Sequence, residues 1–247
     1  MRSVRSDRRR LFHRPAEAEG DESGQEGALA GTIAVDRLPT DRLSPLASRV
    51  DDVLALYGYE MRPAIDAIDD AVTGYGGLFD PTTTDAEIRT AVEAVLAADP
   101  PPTDDDRRES PGDVVLYVDG SSRGNPGPAG AGAVLLVDDD PLGRVGRPVG
   151  ASAENNTAEY AALHLGLEAL AARCAPTAVE VRIDSRTVID DIWGGGDGVA
   201  SAAPYRPAIR DRLGALPACE WTHLADSDPN PADARAAVGA DIAALGP

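Results

Sequence analysis

Four acidic residues stand in local settings that suit divalent-cation chemistry. Asp119 ends the apolar run Leu116-Tyr117-Val118 and precedes Gly120-Ser121. Glu159 follows Asn155-Asn156-Thr157-Ala158, Asp184 follows Val181-Arg182-Ile183, and Asp233 follows Asn230-Pro231-Ala232. Hard cations take oxygen ligands. Two such ions about 4 Å apart can activate a water and stabilise the leaving oxygen of a phosphodiester. Each residue also has an ordinary explanation. Asp-Gly pairs form turns, an acid near a helix N-terminus suits the helix dipole, and Asp233 falls where it could help a cap. Asp is so abundant in this chain that one match carries little. The combination carries the inference, because all four could converge on one edge of a sheet.

The elements that must hold them can be read from residue 113 onward. Val114–Asp119 reads as a strand, Gly120–Gly132 as a glycine-rich loop, Ala133–Val137 as a second strand and Arg144–Ala151 as a third. Asn156–Cys174 reads as a long helix with Leu163, Leu167 and Leu170 on one stripe. A fourth strand at Ala178–Asp184, a short helix through Ile189 and Ile192, a helix near Pro207–Leu216, a fifth strand at Cys219–Leu224 and a final helix from Pro231 complete the domain. The pattern predicts an α/β fold, a mixed five-stranded sheet flanked by helices. The glycines of Ser121-Ser122-Arg123-Gly124-Asn125-Pro126-Gly127 would let a backbone approach a ligand closely, or would simply make a hairpin loop.

The first half has a different character. Residues 1–40 read as a disordered tail, with six Arg in the first 14 residues and an acidic, Gly-rich stretch behind them. This tail is open to three readings: a nucleic-acid arm, a solvated tail or an over-long gene start. Residues 41–98 read as a small helical domain. One helix would start at Ser44-Pro45, a second near Pro63, and a third at the capping box Thr84-Asp85-Ala86-Glu87. Docking, dimerisation or substrate positioning are its open roles. Residues 99–112 are Pro-rich and charged and read as a linker.

Composition bounds the partners. The net charge is −19, and all 23 basic residues are Arg. High acid, much Ala and Gly, and no Lys resemble proteins of salt-loving archaea; an acidic protein from a GC-rich genome is the plainer reading. Such acidity opposes phosphate binding in dilute buffer. At about 1 M salt the Debye length is near 3 Å, so long-range repulsion is screened, as is most counterion-release affinity. No run approaches the ~20 apolar residues of a membrane span. No apolar stretch follows Arg8-Arg9-Arg10 as a secretory signal requires. The expectation is a soluble, cytoplasmic protein. Cys174 and Cys219 lack metal-ligand or disulfide-framework spacing.

The segment 113–247 resembles type 1 ribonuclease H. Asp119-Gly120-Ser121 with Gly124-Asn125-Pro126-Gly127 is similar to that family's first-strand signature, and Asn155-Asn156-Thr157-Ala158-Glu159-Tyr160 to its first-helix signature. Asp184-Ser185-Arg186-Thr187-Val188-Ile189 resembles its fourth-strand signature, and Asn230-Pro231-Ala232-Asp233 its last. The resemblance implies that Asp119, Glu159, Asp184 and Asp233 hold two Mg²⁺ or Mn²⁺ ions. It implies that Gly124, Asn125, Asn155 and Asn156 contact the backbone and groove of an RNA–DNA hybrid. Ser185 would contact substrate or support the carboxylates. It implies cleavage of the RNA strand, leaving a 5′ phosphate and a 3′ hydroxyl.

The segment departs from the family pattern in three places. His223 lies where the family often carries a proton-transfer or product-release His, but it directly follows Trp221-Thr222 and could belong to the strand. Asp226 and Asp228 occupy a loop where a basic residue would help hold phosphate. Gly194–Ala203 is too short and not basic enough for the substrate handle of the larger bacterial members. A non-catalytic nucleic-acid-binding or adaptor protein on the same fold is the alternative reading. A third keeps the fold and changes the substrate, as in integrases or junction resolvases.

Overall fold

The computed structural model describes residues 9–10, 42–98, 112–225 and 227–246. The linker expected at 99–112, apart from Gly112, and nearly all of the expected tail lie outside them. Among the described residues no helix is long and apolar enough to cross a membrane.

The elements, in chain order, are strand β1 (Arg9–Arg10), helices α1 (Pro45–Leu56), α2 (Met61–Ala71) and α3 (Asp85–Ala97), strands β2 (Asp113–Ser122), β3 (Gly127–Val137) and β4 (Asp140–Ala153), and helix α4 (Asn155–Arg173). They continue with β5 (Ala178–Ile183), α5 (Arg186–Ile192), a 3₁₀ turn at Ala200–Ala202, α6 (Tyr205–Ala215), β6 (Cys219–His223) and α7 (Asp233–Ala243). The sheet order is β1-β6-β5-β2-β3-β4. The meander β2-β3-β4 is antiparallel, whereas β5 runs parallel to both β2 and β6. The five expected strands are therefore present, and the two-residue β1 extends the sheet beyond β6.

The strands run longer than the sequence pattern indicates. β3 begins at Gly127, and its first half is Pro, Gly and Ala. Such residues carry no strand periodicity. They pair because helices press on both faces and leave no room for side chains. A Cβ on Gly130 would lie 2.2 Å from Ala240 N, and one on Gly132 2.5 Å from Ala232 O. The small residues Ala236, Gly239 and Ala240 of α7 complete this close approach. The N-terminus of α7, with Asp233, is thereby held against the sheet.

α4 is buried on every side from Thr157 to Leu170, not along one stripe. It lies between the sheet and α6, and a helix enclosed all round needs no polar face. Its buried polar groups are paired. Tyr160 Oη donates to Asp191 Oδ2 at 2.7 Å, and Glu168 accepts from Arg212 Nη2 at 2.9 Å.

The helical segment begins its first and third helices as expected, and α2 starts at Met61, two residues before the expected Pro63. Ser44 Oγ caps α1, and the Thr84–Glu87 capping box opens α3. Its helices pack beside α7 and β4, and Leu46, Leu54, Ile68 and Val92 belong to the same apolar cluster as Leu116 and Leu163. The chain at Tyr59-Glu60 runs along the outer edge of β4: Gly146 N donates to Tyr59 O at 3.0 Å, and Glu60 bridges to Val145. An uncovered edge strand invites aggregation, and this segment covers it. The seam holds a buried Arg147–Asp51 ion pair at 3.2 Å and an Arg173–Glu60 pair at 3.1 Å.

Candidate active site

Asp119 lies within β2, opposite Gly132, and not at a strand end. Glu159 stands one turn into α4, and Asp184 immediately follows β5. Parallel pairing of β2 with β5 puts the exits of the two strands side by side. One ligand oxygen from each of Asp119, Glu159 and Asp184 lies within 4.8 Å of the others. Asp119 and Glu159 are buried, at 7% and 5% exposure.

Gly120 sets the distance between β2 and α4. A Cβ there would lie 2.3 Å from Glu159 N, so only glycine admits the helix. The same glycine's N–H donates to Glu159 Oε2 at 3.1 Å. Asn155 Nδ2 donates to Glu159 Oε1 at 3.3 Å, and Ser122 Oγ donates to Asn155 Oδ1 at 3.2 Å. Asn125 Oδ1 accepts from the Asn155 backbone N–H at 3.1 Å, which ties the glycine-rich turn to the helix start. Asn at a helix start is a common cap, but Asn155 does not cap α4. The N-cap is Glu154, and the Asn155 side chain orients Glu159 instead.

Asp233, the first residue of α7, is exposed and sits across the cleft. It is not part of the close trio, but it lines the same cleft as Asp119 and Asp184, a volume of about 570 Å³. Asn230 bridges the two sides. Its Nδ2 donates to Val118 O at 3.0 Å and lies 3.4 Å from Asp119 Oδ1, while its Oδ1 accepts from Ala232 N. From sequence Asn230 reads only as a cap. Its place three residues before Asp233, in a motif quoted for that Asp, is the signal that could have marked it.

Electrostatics follow from this crowding. Burial, then the carboxylates of Asp184 and Asp233, push the Asp119 carboxyl up to about 7. Burial, then Asp184 and Asp119, hold the Glu159 carboxyl well above its usual range, against the lowering effect of Gly120 N–H and Asn155. Among the described residues no Arg or His forms an ion pair with Asp119, Glu159 or Asp233. Clustered carboxylates raised by burial and mutual repulsion suit a hard divalent cation, which relieves both costs. The residues present therefore fit such an ion.

The other expected residues fall as follows. Gly124 and Asn125 are exposed at the turn between β2 and β3, and Gly124 has φ +135°. Asn156 is partly exposed in the first turn of α4. Ser185 caps α5, its Oγ accepting from Val188 N at 3.4 Å. His223 is the last residue of β6, so its position is that of a strand residue, and its Nε2 lies 3.1 Å from the carbonyl oxygen of Asp184. Asp228 accepts from Ala225 N at 2.9 Å and closes its own loop. Asp226 lies outside the described residues.

Residues 111–197 match the family model described as RNase H, a span that includes Asp119, Glu159 and Asp184 and stops short of Asp233. Ribonuclease HI of Halobacterium salinarum is 44% identical over 86 residues, which is 35% of this chain and 43% of that relative. The aligned segment thus spans less than half of that relative's length. Among solved structures, RNase H1 from the halophilic archaeon Halobacterium salinarum is 36% identical, covering 53% of this chain and 98% of that chain with a TM-score of 0.48. The N-terminal RNase H domain of Rv2228c from Mycobacterium tuberculosis is 31% identical, covering 53% and 96%, with a TM-score of 0.48. By its family-model match and its identity to the Halobacterium relative, the segment that carries Asp119, Glu159 and Asp184 is similar to ribonuclease H.

Proposed function

We propose that residues 113–247 form a metal-dependent endonuclease that hydrolyses the RNA strand of RNA–DNA hybrids by a two-metal mechanism. One observation carries this reading: three carboxylates from β2, α4 and the end of β5 bring ligand oxygens within 4.8 Å, with Asp233 across the same cleft. The name of the Halobacterium relative, ribonuclease HI, supports the choice of reaction.

Asp119, Glu159, Asp184 and Asp233 would hold Mg²⁺ or Mn²⁺. When bound, a pair of such ions supplies an activated water and stabilises the departing 3′ oxygen. The protein's own contribution is preorganisation. Asp119 and Glu159 are fixed by backbone and by the Gly120, Asn155 and Asn230 hydrogen bonds. The turn at Gly124-Asn125 and the start of α4 at Asn155-Asn156 lie beside them, where 2′-hydroxyl contacts would distinguish RNA from DNA. Ser185 fixes the backbone that carries Asp184. His223 supports the same backbone from below. The excess of acid and absence of Lys support activity in concentrated salt.

The test is cleavage of a labelled hybrid at about 1 M KCl with Mg²⁺ or Mn²⁺. The expected result is RNA-strand cleavage that leaves a 5′ phosphate and a 3′ hydroxyl. Binding without turnover under both metals would instead identify an adaptor.

A further inference from the structure

A second cleft of about 560 Å³ lies at the seam between the helical segment and the sheet. Three arginines line it: Arg62 near the start of α2, Arg144 on β4 and Arg235 in the first turn of α7. In this acidic chain most described arginines are already tied to carboxylates. Arg147 pairs with Asp51, Arg173 with Glu60, Arg182 with Glu180, Arg212 with Glu168, and Arg206 and Arg210 with Asp191. Arg49 and Arg123 are tied likewise. Among the described residues Arg42, Arg89, Arg144, Arg186 and Arg235 form no such pair, and two of these five line this cleft. Arg62 has only a 3.7 Å pair with Asp66, both side chains being largely in solvent, a contact worth little. The cleft's own acid, Glu60, is engaged by Arg173 and by the Arg144 backbone N–H. What remains is a concave surface of uncommitted guanidinium groups, the fork that recognises phosphate oxygens.

Its position relates it to the carboxylate cluster. Asp233 lines one cleft and Arg235, two residues on in the same turn of α7, lines the other. Asp119 pairs with Gly132, Gly132 with Gly146, and Arg144 stands two residues from Gly146 on β4. Period-two alternation puts Asp119, Gly132, Gly146 and Arg144 on one sheet face. Two strand spacings and two residues of rise separate the backbones of Asp119 and Arg144 by roughly 12 Å. That is the rise of roughly three to four base pairs.

We propose that this seam cleft is a second nucleic-acid site, which holds a backbone phosphate of the hybrid three to four nucleotides from the scissile bond. The inference rests on the hybrid-nuclease reading for its substrate. It assigns the helical segment a role: α2 supplies one wall of an extended substrate track.

Steady-state cleavage by the full chain tests it, with Arg144→Gln/Arg235→Gln and two hybrids. One hybrid is long enough to reach the cleft and the other covers only the carboxylate site. For the long hybrid KM should rise about tenfold at about 0.3 M KCl, less towards 1 M, with kcat unchanged. Its dependence of log KM on log salt should become shallower by about one. KM for the short hybrid should not move. Because Arg235 packs near Gly132, the exposed pair Arg62→Gln/Arg144→Gln serves as a second variant and should show the same length dependence. Equal effects on both hybrids, no effect on either, or a lowered KM each overturn the proposal; the last would show that an acidic segment of this chain occupies the cleft. If the wild type cleaves no hybrid, the nuclease reading fails on its own. Fluorescence anisotropy with the long hybrid then decides the cleft: weaker binding by the variants keeps the phosphate site, and equal binding removes it.

Discussion

Two buried groups of charge lie in this molecule and are built in opposite ways. At the seam each acid meets its base: Asp51 pairs with Arg147, and Glu60 with Arg173. In the cleft between β2, α4 and α7, acids gather without a described base beside Asp119, Glu159 or Asp233. Burial penalises charge in both places. At the seam a guanidinium offsets that penalty, so the pair can only hold the two parts in register. In the cleft the hydrogen bonds from Gly120 and Asn155 offset only part of it at Glu159, and burial with mutual repulsion raises the Asp119 and Glu159 carboxyls. Carboxyls raised together by burial and mutual repulsion make a site suited to a bound cation.

The strongest way to break this contrast is Asp119→Asn. Hybrid cleavage should fall by at least about 10³-fold, the scale set by removing an essential site group, while the fold persists. Retained activity would remove the assignment of the site. The same variant sharpens the electrostatics. Asp119 titrates near 7 in the folded protein against 3.8 ordinarily. A raised carboxyl favours the protonated fold, so this contribution is full below about 4 and is lost as pH rises towards 7. Metal-free wild type should therefore lose stability over that window, by up to a few kcal/mol at about 1.4 kcal/mol per unit. Asp119→Asn should flatten the profile, and so should Mg²⁺ added to the wild type. Denaturant unfolding at a series of pH values reads both.

Gly120→Ala comes next. The added methyl meets the α4 backbone, so Glu159 must retreat from Asp119. A loss of roughly 10² in kcat is expected from a displacement on the order of 1 Å, together with a lower Tm. A wild-type kcat would mean that the spacing of β2 and α4 does not matter.

At the seam, Asp51→Ala should cost about 3–5 kcal/mol by stranding a buried Arg147, whereas Asp51→Leu with Arg147→Met should be nearly neutral. Neither should alter kcat for a short hybrid. Urea unfolding measures the first claim and kinetics the second. The smallest effect belongs to His223→Ala. Loss of one hydrogen bond to the Asp184 carbonyl should cost about 1 kcal/mol. The shape of the kcat pH profile should not change; a lost limb would make His223 a proton carrier.

Much of the architecture was legible because local rules and tertiary packing agree. Ser44, the Thr84–Glu87 box and the Asn156–Cys174 pattern mark helices that form almost where expected. Valine-rich β2 and β5 read as strands for the same reason. The first half of β3 did not, because Gly130 and Gly132 are there to admit α7, and a residue chosen for absence of a side chain carries no periodicity. Asp119 read as a strand end since Gly120 looked like a turn, whereas Gly120 is a contact with α4. Asn155 read as a groove contact and Asn230 as a cap, because Asn suits both roles locally. Their bonds to Glu159 and Asp119 span elements whose approach no local rule sets.

Which oxygen-bearing side chains are available, and which segments carry them, follows from the order of residues, since strand and helix periodicity and capping act over a few residues. That Asp119, Glu159 and Asp184 close to within 4.8 Å while Asp233 stays across the cleft is set by packing between elements. The same packing decided that the helical segment covers the edge of β4 and leaves Arg144 and Arg235 uncommitted beside it. Those distances are set by how closely glycine- and alanine-lined surfaces pack. Packing is a property of pairs of elements, and a linear reading meets those elements one at a time.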